Sequence, residues 1–340
     1  MNRPHDTLAS SQHIVRRPRR LRLSAGLRGL RREHHLRVDQ LVQPVFFADD
    51  ASHAGPIASM PGIRRLRVTD AASEAHRLRA AGVTAALVFG VPATKDDEGT
   101  RAADPDGVVP RAVRAMRDAV PDLVLVTDLC LCAYTTHGHC GAIDGGRVLN
   151  DVSNDLLARA ALAHAAAGAD LVAPSCMFDG IVGAVRTALD DAGFEDTGIL
   201  SYAVKYASSF YGPFRDAAGS APAFGDRRTH QMDPANASEA MLEATLDVDQ
   251  GADILMVKPA LPSLDIVRRL RERFEGIPIA AYQVSGEYAA LVAAAERGWL
   301  DLRATALESL LAIRRAGADV IVSYFADRAA RWLHEAETGR

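Results

Sequence analysis

Lysine is nearly missing from this 340-residue chain: Lys95, Lys205 and Lys258 are the only three, against 36 arginines. Arginine therefore serves as the general surface cation, the bias a GC-rich genome writes. Lysine should persist where arginine cannot substitute, notably where a neutral amine must attack a carbonyl. An excess of basic charge is also lacking. With 39 basic and 43 acidic side chains the net charge is −4, which argues against a globally basic nucleic-acid binder. No run approaches the roughly 18 apolar residues of a membrane span, and the N-terminus lacks the apolar core of a signal peptide, so a soluble cytoplasmic protein with no membrane partner is expected. The early glycine-rich phosphate loop of a dinucleotide fold is absent. Cysteine is sparse, but three of the four (Cys130, Cys132, Cys140 and Cys176) fall within eleven residues. In a reducing compartment that clustering reads as metal binding before disulfide formation.

What remains is an ordinary globular composition, 48% hydrophobic and 24% charged, long enough for one large domain or two average ones. Residues 1–40 stand apart as an N-terminal arm. From Arg16 to Arg37 they hold nine arginines and a single acid, Glu33, and a helix is expected near 26–37. Beyond the arm, short apolar runs alternate with amphipathic stretches. The runs at 41–47, 85–90, 123–129, 170–175, 198–203, 253–259, 278–284 and 319–325 read as strands. Stretches at 70–81, 111–120, 154–167, 181–192, 237–250, 263–274 and 305–316 read as helices, several followed by a glycine suited to a C-terminal cap. Eight strands alternating with helices over 41–340 predict an α/β fold, a (β/α)8 TIM barrel as a single catalytic domain. No strong internal repeat and no linker divides it.

A TIM barrel keeps its chemistry at the C-terminal ends of its strands. Asp128, Cys130 and Cys132 fall at or just after the third expected strand, Lys205 after the fifth, Lys258 at the sixth, Ser285 after the seventh and Tyr324 at the eighth. Three thiolates in the spacing C-x-C-x7-C suit Zn2+ and leave a fourth position open, as a catalytic zinc requires. Packing of small buried cysteines, or closure of the site by His137 or His139, is the alternative. Lysine has a free pKa near ~10.4, and two ammonium groups at adjacent strand ends would lower each other toward the neutral, nucleophilic form. Lys95, in an acidic polar loop, reads as a loop residue or a lid contact. Residues 206–231 are too long for a routine β/α loop. Their aromatic residues, with Arg215, Arg227, Arg228 and Gln231, suggest an ordered lid presenting guanidinium groups to a carboxylate.

These residues closely resemble the porphobilinogen synthase family, also called 5-aminolevulinate dehydratase. The likeness rests on Arg-Pro-Arg-Arg at 17–20, Ser-Met-Pro-Gly at 59–62, Thr-Asp-Leu-Cys-Leu-Cys at 127–132 and Gly-His-Cys-Gly at 138–141. It continues in Tyr-Gly-Pro-Phe-Arg-Asp-Ala-Ala at 211–218, Ala-Phe-Gly-Asp-Arg-Arg at 223–228, Met-Val-Lys-Pro-Ala at 256–260 and Tyr-Gln-Val-Ser-Gly-Glu-Tyr at 282–288. The resemblance implies condensation of two 5-aminolevulinate molecules to porphobilinogen and two waters, a step of tetrapyrrole synthesis. Lys258 and Lys205 would form Schiff bases with the substrates that become the propionate and acetate sides. Arg215, Arg227 and Gln231 would hold the acetate-side carboxylate, Ser285 and Tyr324 the propionate-side one, with Tyr211 and Phe214 among the substrate contacts. Cys130, Cys132 and Cys140 would bind zinc beside Asp128. The arm would build dimers and then a homo-octamer.

One stretch departs from the family. Relatives usually read Ala-Pro-Ser-Asp-Met-Met-Asp-Gly-Arg where this chain has Ala-Pro-Ser-Cys-Met-Phe-Asp-Gly-Ile at 173–181. The altered positions, Cys176 and Ile181, resemble the surroundings of an allosteric Mg2+ whose direct ligand would map to Glu243. Glu243 is retained but its supporting shell is not, which puts Mg2+ in doubt. Cys176 is expected to pack rather than to ligate zinc. Two other readings stay open on the residues alone: a general imine-forming aldolase or lyase, which would need no thiolates, and a nucleic-acid-binding arm, which would show sharp salt dependence.

Overall fold

The computed structural model describes residues 15–338, and they fall into two units that divide between His35 and Leu36. Residues 1–14 of the expected arm lie outside the described residues. The described part of the first unit holds a 3-10 turn, Pro18–Arg22, and a short helix, Ala25–Leu30, shorter than the helix expected near 26–37. Ser24 caps that helix, its Oγ accepting from Leu27 N at 3.1 Å. Leu21, Leu23 and Leu30 of this unit are solvent-exposed.

The second unit begins at Leu36, which already packs on the barrel core, a few residues before the expected boundary at 40. Its sheet includes eight parallel barrel strands: β1 (Leu41–Ala48), β2 (Ala85–Val91), β3 (Val124–Leu129), β4 (Leu171–Pro174), β5 (Gly198–Lys205), β6 (Ile254–Lys258), β7 (Ile279–Gln283) and β8 (Val320–Ser323). Each pairs with the next, and β8 returns to β1 through Leu41↔Ile321 and Val42↔Val322, closing the barrel. The helices are α1 (Ala71–Ala80), α2 (Val108–Ala119), α3 (Asn150–Ala166), α4 (Ile181–Asp191), α5 (Glu239–Asp249), α6 (Leu264–Arg273), α7 (Ser285–Glu296), α8 (Leu302–Ala316) and α9 (Ala326–Thr338). The TIM barrel expected from the alternation of elements is therefore the fold. Helices α7 and α9 were absent from the sequence expectation. In α7 the reason is composition, because Ala289, Ala290, Ala293, Ala294 and Ala295 blur the contrast between faces on which a 3.6-residue period depends.

Three of the strands begin with the same device, a repeat of only three residues. Gly-Ala-Asp precedes β4 (168–170), β6 (251–253) and β8 (317–319). Each glycine takes positive φ, 101°, 98° and 128° respectively, a conformation that costs other L-residues about 1–2 kcal/mol. Each aspartate then reaches one strand back. Asp170 accepts from Leu125 N at 2.7 Å, Asp253 from Ile199 N at 2.7 Å and Asp319 from Ile279 N at 3.0 Å. These side chains satisfy backbone donors at the lower rim and set the register of β3–β4, β5–β6 and β7–β8.

Candidate active site

The register that begins at the lower rim fixes what meets at the upper one. Lys205 ends β5, Lys258 ends β6, and the two are Cα partners across the strand pair. Below them the pairing slips by one residue: Leu255 faces Ser201, whereas Val257 faces Val204. This bulge matters because Tyr202 and Lys205, three apart, would otherwise point to opposite faces of a regular strand. Instead the Tyr202 ring lies 5.6 Å from Lys205 Nζ and 5.1 Å from Lys258 Nζ. Both lysines are buried.

Aromatic rings enclose the Lys258 amine. Its Nζ is 4.4 Å from the Tyr282 ring centroid, 5.0 Å from Phe214 and 5.2 Å from Tyr211. Burial, and then the charge of Lys205 opposite, push its pKa down to about 7, against a smaller opposing pull from Asp128. An amine in this setting is substantially neutral at physiological pH. Lys205 Nζ donates to Ser175 O. Asp128, near the end of β3, is pushed up by burial and pulled back by the two lysines.

The cysteines assemble on the turn beyond β3. Cys132 N points at Cys130 Sγ, 3.4 Å away, and the chain loops back so that Leu131 N donates to Cys140 O and Thr135 Oγ1 to His139 O at 2.9 Å. The Sγ atoms of Cys130, Cys132 and Cys140 all lie within 4.8 Å of one another, and all three residues are buried. Thiol groups of Cys130, Cys132 and Cys176 hold the Cys140 thiol well below its usual pKa. Three soft donors converging on one point, one of them favoured as thiolate, fit a zinc-type ion and leave a coordination position free. His137 and His139 do not close the group. Their Nε2 atoms sit 3.0 Å from the carbonyls of Asp97 and Phe224. Cys176, two residues beyond the neighbouring β4, directs its thiol to Cys140 O at 3.5 Å and Leu129 O at 3.6 Å, so it packs beside the trio.

Residues 206–231 arch over this centre. Arg215, Arg227 and Gln231 line a cavity of about 540 Å³ together with Ser208, Pro259 and Ser263. Arg227 is buried, its Nη2 donating at 2.7 Å to Gly138 O and at 2.5 Å to Ser220 O. Yet Arg215 Nε, Arg227 Nε and Gln231 Nε2 are buried donors with no partner. Each such orphan costs about 1–3 kcal/mol, a cost that a bound oxyanion would remove. Ser285, the first residue of α7, accepts from Phe214 N at 2.9 Å, and Tyr282 Oη donates to Tyr324 Oη at 3.0 Å. Tyr324 follows β8 rather than ending it, since the strand stops at Ser323.

The sequence profile described as Delta-aminolevulinic acid dehydratase matches residues 15–332. The chain belongs to the delta-aminolevulinic acid dehydratase family. A family member of Halalkalibacterium halodurans is 50% identical over 320 residues, covering 94% of this chain and 97% of the relative. One of Methanothermobacter thermautotrophicus is 54% identical over 314 residues, 92% of this chain and 95% of the relative. The crystal structure of the dehydratase (porphobilinogen synthase) of Toxoplasma gondii ME49, in complex with the reaction product porphobilinogen, superposes with a TM-score of 0.94 at 44% identity, covering 96% of this chain and 94% of that one.

Within the family fold, most of the residues singled out from sequence meet at the upper rim, and Glu243 does not. It sits on α5 among Asp247, Asp179 and Glu239, where burial and then those charges push its pKa up to about 7. Among the described residues the three cysteines form the one group of three His, Cys, Asp or Glu side chains close enough together to share a metal ion. Sequence reasoning overlooked Tyr202 and Ser175. Ser175 lies in a quoted motif, but only the barrel shows its carbonyl against Lys205. Tyr202 stood on the wrong parity, which only the bulge corrects.

Proposed function

We propose that this protein condenses two molecules of 5-aminolevulinate to porphobilinogen with release of two waters, as a hydro-lyase of tetrapyrrole synthesis. The observation that carries the reading is the pairing of Lys205 with Lys258, the second held near neutrality, beneath a lid with unpaired guanidinium donors. A neutral Lys258 Nζ attacks the substrate ketone, and loss of water leaves a protonated imine that activates the adjacent carbon. Lys205 forms the second imine. The aromatic wall of Tyr202, Tyr211, Phe214 and Tyr282 keeps bulk water from both. Arg215, Arg227 and Gln231 clamp the acetate-side carboxylate, while Ser285 and Tyr324 receive the propionate-side one, so two identical substrates are held in different orientations. Asp128, with its raised pKa, exchanges protons beside the lysines.

Cys130, Cys132 and Cys140 would hold Zn2+, which supplies Lewis-acid polarisation of a substrate oxygen when bound. We assign no magnesium to Glu243, because Cys176 and Ile181 replace the aspartate and arginine of relatives that would support it. The arm's exposed Leu21, Leu23 and Leu30 favour contact with another copy of the chain over nucleic acid, in keeping with a homo-octamer. No helix among the described residues is long and apolar enough to cross a membrane, and we place the enzyme in the cytoplasm. Porphobilinogen formation from 5-aminolevulinate, with and without a chelator and added Zn2+, tests the assignment. No product under any metal condition overturns it.

A further inference from the structure

The third lysine, Lys95, has no part in the chemistry above, yet it touches the lid. Its half-buried Nζ donates to Gly219 O at 2.5 Å. Gly219 follows the short lid helix Gly212–Ala217 and takes a φ of +57°. Bonds from Gly219 N to Asp216 O (3.2 Å) and from Ser220 N to Arg215 O (3.0 Å) close that helix end. The helix bears Phe214, against Lys258, and Arg215, in the lid cavity. Lys95 thus grips the end of the element that supplies one wall of the amine pocket and one arm of the clamp.

The other side of Lys95 is sewn to the cysteine segment. Asp96 N donates to Tyr134 O at 3.2 Å and Thr136 N to Asp96 O at 3.0 Å. Asp97 accepts from Thr136 Oγ1, and its carbonyl lies 3.0 Å from His137 Nε2. Residues 134–137 lie in the loop between Cys132 and Cys140. The acids beside Lys95 are committed elsewhere: Asp96 accepts from Thr100 Oγ1 at 2.6 Å and from Glu98 N and Thr100 N at 3.0 Å each. The ammonium is therefore left to the lid carbonyl.

We infer that Lys95 is a positioning residue, a latch through which order in the cysteine segment holds the lid helix, and with it Phe214 and Arg215, over the paired lysines. The inference rests on reading 206–231 as the lid of the proposed active site. Linkage requires the coupling to run both ways: ordering the cysteine segment steadies the lid, and a closed lid steadies the cysteine segment.

The test is hydrogen exchange followed by mass spectrometry on the full-length zinc-loaded protein and on Lys95→Met, with Lys95→Arg as the variant that keeps a cation. Lys95→Met should speed exchange across 212–220 at least tenfold, leave the global Tm within a few degrees and raise KM about tenfold with kcat within threefold. Lys95→Arg should fall between. Chelation of zinc should accelerate exchange of 212–220 in the unsubstituted protein and add nothing further in Lys95→Met. In the unsubstituted protein, acylation of Lys95 should also quicken on chelation, a measurement that needs no variant. Unchanged exchange in Lys95→Met, an equal chelator response in both proteins, or Lys95 acylation indifferent to chelation would overturn the latch. These readings are independent of turnover. A protein that makes no porphobilinogen but shows the coupled exchange would refute the proposed function and keep the latch.

Discussion

Lys205 and Lys258 are register partners at the last residues of neighbouring parallel strands, and after burial the charge of the first lowers the pKa of the second. Register partners on neighbouring strands project to the same face of the sheet. Here the barrel turns both inward, beneath the lid, so that the charge of Lys205 resists protonation of Lys258. Imine formation at Lys258 should therefore titrate with an apparent pKa near 7. Lys205→Met removes the opposing charge, so the profile for borohydride trapping of 5-aminolevulinate on Lys258 should move to higher pH, with less trapping at pH 7. A profile that does not move would show that burial alone sets the amine.

The same depression makes a prediction about stability, and its sign follows from proton counting. Between pH 7 and about 10, the unfolded chain binds a proton at Lys258 that the folded chain largely lacks, so stability rises with pH across that window. Lys258→Met should abolish trapping at that position and raise Tm at pH 7, by roughly 2–4 °C for each kcal/mol regained. The gain should shrink as pH approaches 10. A loss of Tm at pH 7 would contradict the buried-amine account.

The orphaned donors of the lid predict a binding defect. Arg227→Gln removes a guanidinium from the cavity wall and should weaken carboxylate binding by about 2 kcal/mol, a factor of roughly 30 in KM. Steady-state kinetics on the variant, with Tm measured alongside because Arg227 also holds Gly138 and Ser220, would check it. An unchanged KM would remove Arg227 from the clamp.

For the metal, Cys132→Ser should lower bound zinc from about one ion per chain to a small fraction, since a catalytic site of this kind has only three protein ligands to begin with. Lys258 attacks with its own lone pair, so borohydride trapping there should survive while porphobilinogen formation is lost. Zinc content by atomic absorption and peptide mapping of the trapped protein give both answers.

At the lower rim, Asp253→Ala leaves Ile199 N without its acceptor and should destabilise the barrel by about 1–3 kcal/mol in chemical denaturation. A neutral substitution would show that this Gly-Ala-Asp turn does not set register.

How much of this was legible beforehand depended on whether the signal was local. Seven helices could be read from their one-sided apolar period, and eight strands as short apolar runs, since barrel strands are buried on both faces. Alanine-rich α7 has too little contrast between its faces, and α9 was not among the expected helices. Lys205, Lys258 and the three cysteines stood out by scarcity and spacing. Tyr202 did not, because strand parity assigns it to the far side and only the bulge opposite Met256 brings it to the amines. The Gly-Ala-Asp turns were too short to count as a repeat until their aspartates were found pairing with the preceding strand. Cys176 was separated from the cluster by 36 residues after Cys140, a distance that says nothing about β3 and β4 being neighbours. The lid's orphaned donors exist only in three dimensions.

The central claim is that paired lysines bind substrate covalently. The direct measurement is reduction of the protein with borohydride in the presence of 5-aminolevulinate, followed by mass mapping of the peptides that contain Lys205 and Lys258. The account predicts substrate-derived adducts on these two lysines, with Lys95 unmodified. Folded protein that turns over substrate yet carries no adduct on either lysine would contradict it.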